Sequence, residues 1–104
     1  MKKTAFLILI LSAALFANEE QLTGKKVFET YCWGCHHQTA MAFGPPFSQI
    51  AKKRTKAEIE AYIASPQSMY EAFGYKRTVM TQMHLNAKEL DLISDYILSF
   101  KGKK

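Results

Sequence analysis

The sequence predicts a small all-α protein, and three features support that fold class. Helix-capping patterns, in which a Thr, Ser or Asn is followed three residues later by Glu, occur at Thr55–Glu58, Ser68–Glu71 and Asn86–Glu89. Apolar side chains recur after them at three- and four-residue steps, the period of an amphipathic helix. The sequence has no stretch with the strict apolar and polar alternation that indicates a strand. We therefore expect three to four short helices.

The N-terminal stretch has the pattern of a secretory signal peptide. Lys2 and Lys3 precede an apolar run of about a dozen residues, and Ala17 offers a small residue for cleavage. The run is shorter than the roughly 17–25 apolar residues that a transmembrane helix needs. We predict that residues 1–17 direct export and are removed. Cleavage after Ala14 and retention as an uncleaved anchor are the alternatives.

The remaining segment, residues 18–104, has 87 residues and allows one domain. A domain of this size buries only about 60% of its unfolded surface and often needs a disulfide, a metal or a cofactor for stability. Without Lys2 and Lys3, 12 basic side chains face 9 acidic ones, so the formal charge falls from +5 to +3. That charge is too low for a typical nucleic-acid binder and suits either docking on acidic protein surfaces or no specific partner. We expect a monomer with no membrane span in the mature chain.

The first helix is predicted to run from near Thr23 to Tyr31. Thr23 can cap it, and Val27, Phe28 and Tyr31 fall on one side at helical spacing. The next stretch, residues 36–50, contains a Gly-Pro-Pro run that excludes a continuous helix. We predict an extended loop there.

The later helices follow from the capping patterns. The helix that Thr55 opens is expected to end before Pro66, and one or two turns from Ser68 should reach Phe73 and stop at Gly74. The last helix, opened by Asn86–Glu89, has an apolar stripe formed by Leu90, Ile93, Tyr96, Ile97 and Phe100. This stripe is expected to pack against the first helix.

The motif with the clearest chemistry is Cys32-Trp33-Gly34-Cys35-His36. Two thiols at this spacing lie on one helical turn and can add across the two vinyl groups of a haem, while the next side chain reaches the iron. The motif therefore predicts one haem c, bound covalently by Cys32 and Cys35, with His36 as an axial iron ligand.

Two other interpretations of the cysteine pair are less consistent with the chain. A disulfide or a thioredoxin-like redox pair needs no histidine behind it, and a thioredoxin fold requires strands that the sequence lacks. A zinc site would need two more ligands at comparable spacing, and only His37 and His84 remain as histidines.

Over essentially the whole mature chain, the sequence resembles the mono-haem c-type cytochrome family of small bacterial proteins. The segment Gly24-Lys-Lys-Val-Phe28 before Cys32 resembles the family's first helix, whose glycine lets the last helix cross closely. Gly44-Pro45-Pro46-Phe47 resembles the family's Gly-Pro-x-Leu segment, with Phe47 in place of the usual Leu. The resemblance implies a small cytochrome c fold wrapped around the haem, in which the Pro45 carbonyl orients His36.

The same resemblance implies a methionine as the second axial ligand, in the coil before the last helix. Met80 fits that place, although Thr81 stands where proline is usual. Met83 is the alternative ligand, or a core side chain near the haem edge. His84 and an open sixth position are the remaining possibilities.

Several basic and aromatic residues are candidates for peripheral roles. Tyr75 and Arg77 precede the ligand loop, where they are either hydrogen-bond donors to a haem propionate or plain surface residues. The basic run Lys52–Lys56, together with Lys76 and Arg77, forms either a docking patch for acidic partners or a solvated face.

We predict a periplasmic mono-haem electron carrier that is not an enzyme and that exchanges single electrons with donor and acceptor redox proteins. Methionine–histidine ligation supports this, because it leaves no open iron position and raises the reduction potential relative to bis-histidine ligation. The alternatives are a dedicated cytochrome subunit of a larger oxidoreductase complex, and a haem sensor or enzyme with an open sixth position.

Overall fold

In a computed structural model, residues 21–104 are described, and all of their regular secondary structure is helical. Helix α1 (Gly24–Val27) continues as a π-helical turn (Phe28–Cys32), followed by α2 (Phe47–Lys53), α3 (Lys56–Ala64), α4 (Pro66–Met69) and α5 (Ala87–Leu98). The all-α prediction is confirmed for this part of the chain, with one helix more than the predicted three to four. The predicted signal peptide, residues 1–17, lies outside the described residues.

The first helix begins and ends close to its predicted limits. The Thr23 side chain accepts a hydrogen bond from the amide of Lys26 at 3.2 Å and so caps the helix. At the other end, the Trp33 amide bonds the Phe28 carbonyl at 3.0 Å, a five-residue step that widens the turn. Such π-turns occur frequently at functional sites, and this one leads directly into the Cys32 motif.

Helix α2 is absent from the sequence prediction, which placed residues 36–50 in a loop. The extended Pro46 precedes it as the N-cap, and its carbonyl accepts hydrogen bonds from the amides of Gln49 and Ile50. A proline interrupts a helix that would run through it, but a helix can start directly after it. The first amides of a helix have no hydrogen-bond partner within the helix, so the proline costs nothing there. The predicted loop was therefore wrong for residues 47–50, which lie in helix α2.

Helix α3 has the predicted capping box, in which Thr55 and Glu58 satisfy each other's amides, and it ends before Pro66 as expected. The next short helix starts earlier than predicted. Ser65 is its N-cap and Pro66 occupies its first turn, where a proline fits because no amide partner is needed. Ser68 therefore lies inside this helix and does not start one.

Helix α5 crosses α1 at very short range. A Cβ atom added to Gly24 would lie 2.6 Å from both the Leu92 carbonyl oxygen and the Tyr96 Cβ, so only glycine permits this approach. Helix α5 begins with the predicted capping box of Asn86 and Glu89. The crossing organises a single core, made of Val27, Phe28, Phe47, Ile59, Ile63, Ile93 and Ile97.

Phe100 lies in the turn just beyond α5, and its ring packs against that of Tyr96 at 5.1 Å. Helices α2 and α3 also pack on α5. The last helix is therefore the common partner of α1, α2 and α3, which leaves the opposite sides of α2 and α3 to line a cavity.

Candidate functional site

A cavity of about 300 Å³ lies between the Cys32 turn, helices α2 and α3, and the coil before α5. Its lining is mostly apolar, as expected for a cofactor site. Nine candidate site residues from the sequence line it: Cys32, Cys35, His36, Pro45, Phe47, Tyr75, Arg77, Met80 and Met83. The fold thus brings together residues that are up to 51 positions apart in the sequence.

The two cysteines lie on one tight turn and form no disulfide. The amides of Cys35 and His36 both bond the Cys32 carbonyl, at 3.1 and 3.0 Å, which brings all three side chains to the cavity. Burial, aided by the nearby Cys35, raises the pKa of the Cys32 thiol to about 11. Redox-active Cys-x-x-Cys pairs have a lowered thiol pKa, whereas the pKa of Cys32 is shifted in the opposite direction.

The His36 ring is held in one orientation by its neighbours. Its Nδ1 lies 2.7 Å from the Pro45 carbonyl oxygen. Because a carbonyl only accepts, Nδ1 carries the hydrogen and donates it, which leaves the Nε2 lone pair for a metal. The Phe47 ring stacks on the imidazole at 5.7 Å.

Gly44 completes the support of His36. A Cβ atom at Gly44 would lie 2.5 Å from His36 Cε1 and 2.9 Å from its Nδ1. The Gly44 amide also bonds the Cys35 carbonyl at 2.6 Å, which fixes the loop to the cysteine turn. The glycine is therefore needed for the close contact between this loop and the imidazole.

Both candidate methionines pack against the core at the cavity. The Met80 amide donates to the Thr78 hydroxyl at 3.3 Å, and the Tyr62 hydroxyl donates to the same oxygen at 2.9 Å. Met83 has no comparable hydrogen bond. His84 is exposed and does not line the cavity.

Arg54 is a cavity residue that the sequence analysis missed, because it was grouped with the exposed basic run. Its Nη2 donates to the Phe73 carbonyl at 2.9 Å, and its guanidinium carbon lies 4.1 Å from the Phe73 ring centre. Its Nε is buried without a hydrogen-bond partner. Arg54 follows the cavity residue Ile50 by four positions, so helical spacing was the signal that could have identified it.

The fold also separates the lysines that the sequence placed together in one basic patch. Lys56 binds the carboxylates of Asp91 and Asp95 at 2.5 and 3.0 Å, and these contacts raise its pKa. Lys52 and Lys53 remain exposed. They line a shallow depression of about 700 Å³ that also includes Lys103 and Lys104.

The side chains at the cavity fit a covalently attached haem. Two thiols and an oriented imidazole share one wall, and thioethers lie in the coil that borders the same space. The buried Arg54 Nε is a donor that suits a carboxylate such as a haem propionate, because an unpaired buried N–H is costly. Within residues 21–104, no group of three His, Cys, Asp or Glu is arranged to hold a bare metal ion, and no helix is long and apolar enough to cross a bilayer.

Comparison with known proteins agrees with this geometry. The cytochrome c family model matches residues 21–101. A solved structure of the cytochrome c domain of a protein from Pseudomonas putida superposes with a TM-score of 0.61 at 20% identity, covering 74% of this chain and 86% of that one. It shows that the two share a fold. No curated protein matches the sequence significantly.

Proposed function

The chain belongs to the cytochrome c family, and on that premise we propose that it is a periplasmic mono-haem carrier of single electrons. The family implies a covalently bound haem c, electron transfer and redox protein partners. The observation that carries the finer proposal is the convergence of Cys32, Cys35, an oriented His36 and Met80 on one cavity.

Each of these residues has one role in the proposal. The Cys32 and Cys35 thiols would bind the porphyrin covalently, and His36 would present Nε2 to the iron while the Pro45 carbonyl accepts its Nδ1 hydrogen. Met80 would supply a thioether to the iron. When bound, the haem iron supplies one-electron chemistry by alternating between two oxidation states.

An electron carrier must hold its cofactor without allowing substrates to reach the metal. Two protein ligands would leave no open position, and the Phe47 ring, which packs on both the imidazole and Phe28, limits movement when the charge changes. Phe43 is 77% exposed at the cavity edge. It lies where a partner would approach the cofactor.

Export and partner choice belong to the same proposal. We infer removal of residues 1–17 and a periplasmic location from the signal-peptide pattern, and a single cytochrome domain from residues 18–104. Lys52, Lys53, Lys103 and Lys104 give the folded part a basic surface suited to transient contact with acidic redox partners.

Voltammetry of the purified holoprotein, combined with carbon monoxide exposure, tests the carrier function. We expect one reversible one-electron wave and no carbon monoxide binding by the reduced protein. A Met80→Ala variant, with an open iron position, should bind carbon monoxide and serves as the positive control. Carbon monoxide binding by the unmodified protein would favour a sensor or enzyme and contradict the carrier proposal.

A further inference from the structure

The coil that carries both methionines is weakly held by its own backbone. Residues 76–85 make no backbone-to-backbone hydrogen bond, within the described part of the chain. Something other than backbone structure must therefore fix the position of Met80.

The Thr78 hydroxyl connects this coil to helix α3. Its oxygen accepts hydrogen bonds from the Met80 amide at 3.3 Å and from the Tyr62 hydroxyl at 2.9 Å. Met80 has the only backbone amide in residues 76–85 with a hydrogen-bond partner. The coil is thus tied to the helix directly beside one of its two methionines.

The Tyr62 side chain is a firm anchor for this contact. It belongs to helix α3, and its ring packs against Phe73 at 5.1 Å and Tyr75 at 5.9 Å between ring centres. Arg54 stacks on Phe73 from helix α2's end and so braces the same group of rings. A hydroxyl held by packed rings loses little further freedom when it bonds Thr78.

We propose that Thr78 is a positioning residue, which uses the Tyr62 hydroxyl to hold Met80, and not Met83, as the second axial ligand. This inference rests on the proposed function, because it assumes methionine ligation. Met83 lines the same cavity, but no hydrogen bond fixes its backbone. This hydroxyl relay, from Tyr62 through Thr78 to the Met80 amide, therefore distinguishes between two otherwise similar thioethers.

Imidazole titration of the oxidised holoprotein tests the relay. Added imidazole displaces the methionine, and the loss is followed by the weak long-wavelength absorption band of iron–methionine ligation. Thr78→Val keeps the side-chain shape but removes the hydroxyl, so we expect imidazole to bind about five- to tenfold more tightly, the effect of one lost hydrogen bond. Tyr62→Phe should act in the same direction, by about two- to fivefold.

Matched variants separate positioning from general loop damage. Thr78→Ser retains the hydroxyl, Thr81→Val makes the same chemical change at a hydroxyl with no hydrogen bond, and Met83→Leu removes the competing thioether. We expect all three to stay within about twofold of the unmodified protein, a change of under 0.5 kcal/mol.

The outcomes distinguish a failure of methionine ligation from a failure of the hydroxyl relay alone. If the unmodified holoprotein lacks the methionine band, methionine ligation fails and the relay fails with it. If the band is present but Thr78→Val and Thr81→Val behave alike, the relay alone is contradicted. A large effect of Met83→Leu would assign the ligand to Met83 and also contradict it.

Discussion

At the scale of single residues, the orientation of His36 depends on Gly44. The imidazole lies between the Pro45 carbonyl and the Phe47 ring, and any Cβ at Gly44 would overlap it. A Gly44→Ala substitution should displace the ring and destabilise the holoprotein by about 1–3 kcal/mol, as overpacking generally does. Denaturant unfolding measures the loss.

Gly34→Ala is the matched control for that substitution. Gly34 lies within the cysteine motif, but no atom comes within 4 Å of the position its Cβ would occupy. The control variant should stay within about 0.5 kcal/mol of the unmodified protein. Equal losses in the two variants would show that the Gly44 contact with His36 is not special.

The two cavity arginines differ in their surroundings. Arg54 is largely buried, bonds the Phe73 carbonyl and has an unpaired Nε, whereas Arg77 is exposed. Arg54→Lys keeps the charge but loses the planar donor geometry, so we expect the holoprotein to lose about 1–3 kcal/mol of unfolding free energy. Arg77→Lys should cost less than about 0.5 kcal/mol. If Arg77→Lys lost more unfolding free energy than Arg54→Lys, Arg77 would be the arginine that stabilises the holoprotein, which would contradict this prediction.

The residues that the sequence could identify are those whose role follows from local spacing. The Cys32-to-His36 motif defines its chemistry within five positions, so its side chains were predictable. Arg54 and Thr78 were not, because the direction of each side chain depends on a partner far along the chain: Phe73 for Arg54 and Tyr62 for Thr78. Residues that are adjacent in the basic run Lys52–Lys56 therefore have different surroundings in the fold.

At the scale of helices, the crossing of α1 and α5 is the contact most sensitive to substitution. The backbone oxygen of Leu92 cannot move away from a Cβ at Gly24 as a flexible side chain could. Gly24→Ala should therefore lower the unfolding free energy by about 1–3 kcal/mol, despite alanine's better helix propensity. Lys25→Ala, at an exposed neighbouring position, is the control and should have little effect. A neutral Gly24→Ala result would contradict the close crossing.

Helices with side-chain caps were predictable, whereas α2 and α4, which have none, were missed and misplaced respectively. Thr55 and Asn86 each form a capping box, and both helices begin where the sequence indicated. Helix α2 begins after Pro46 with no side-chain cap, so the Gly-Pro-Pro run concealed its start. Tertiary packing of Phe47 against Phe28, at 5.2 Å between ring centres, stabilises what the local sequence did not signal.

At the scale of the whole molecule, the thin core and the apolar cavity have the same explanation. Apart from Pro46 and Pro66, only eight hydrophobic side chains are buried among the described residues, and the core cluster borders a cavity lined by further aromatic and thioether groups. A cofactor in that cavity would complete the core of a domain too small to be very stable alone. Stability and electron transfer therefore depend on the same group.

The mass of the mature protein, purified from a host able to attach haem, tests the central claim most directly. We predict a coloured protein whose denatured mass equals residues 18–104 plus one haem, and a bare chain mass when both Cys32→Ser and Cys35→Ser are introduced. A colourless protein with the mass of the bare chain would contradict covalent haem attachment, and with it the proposed function.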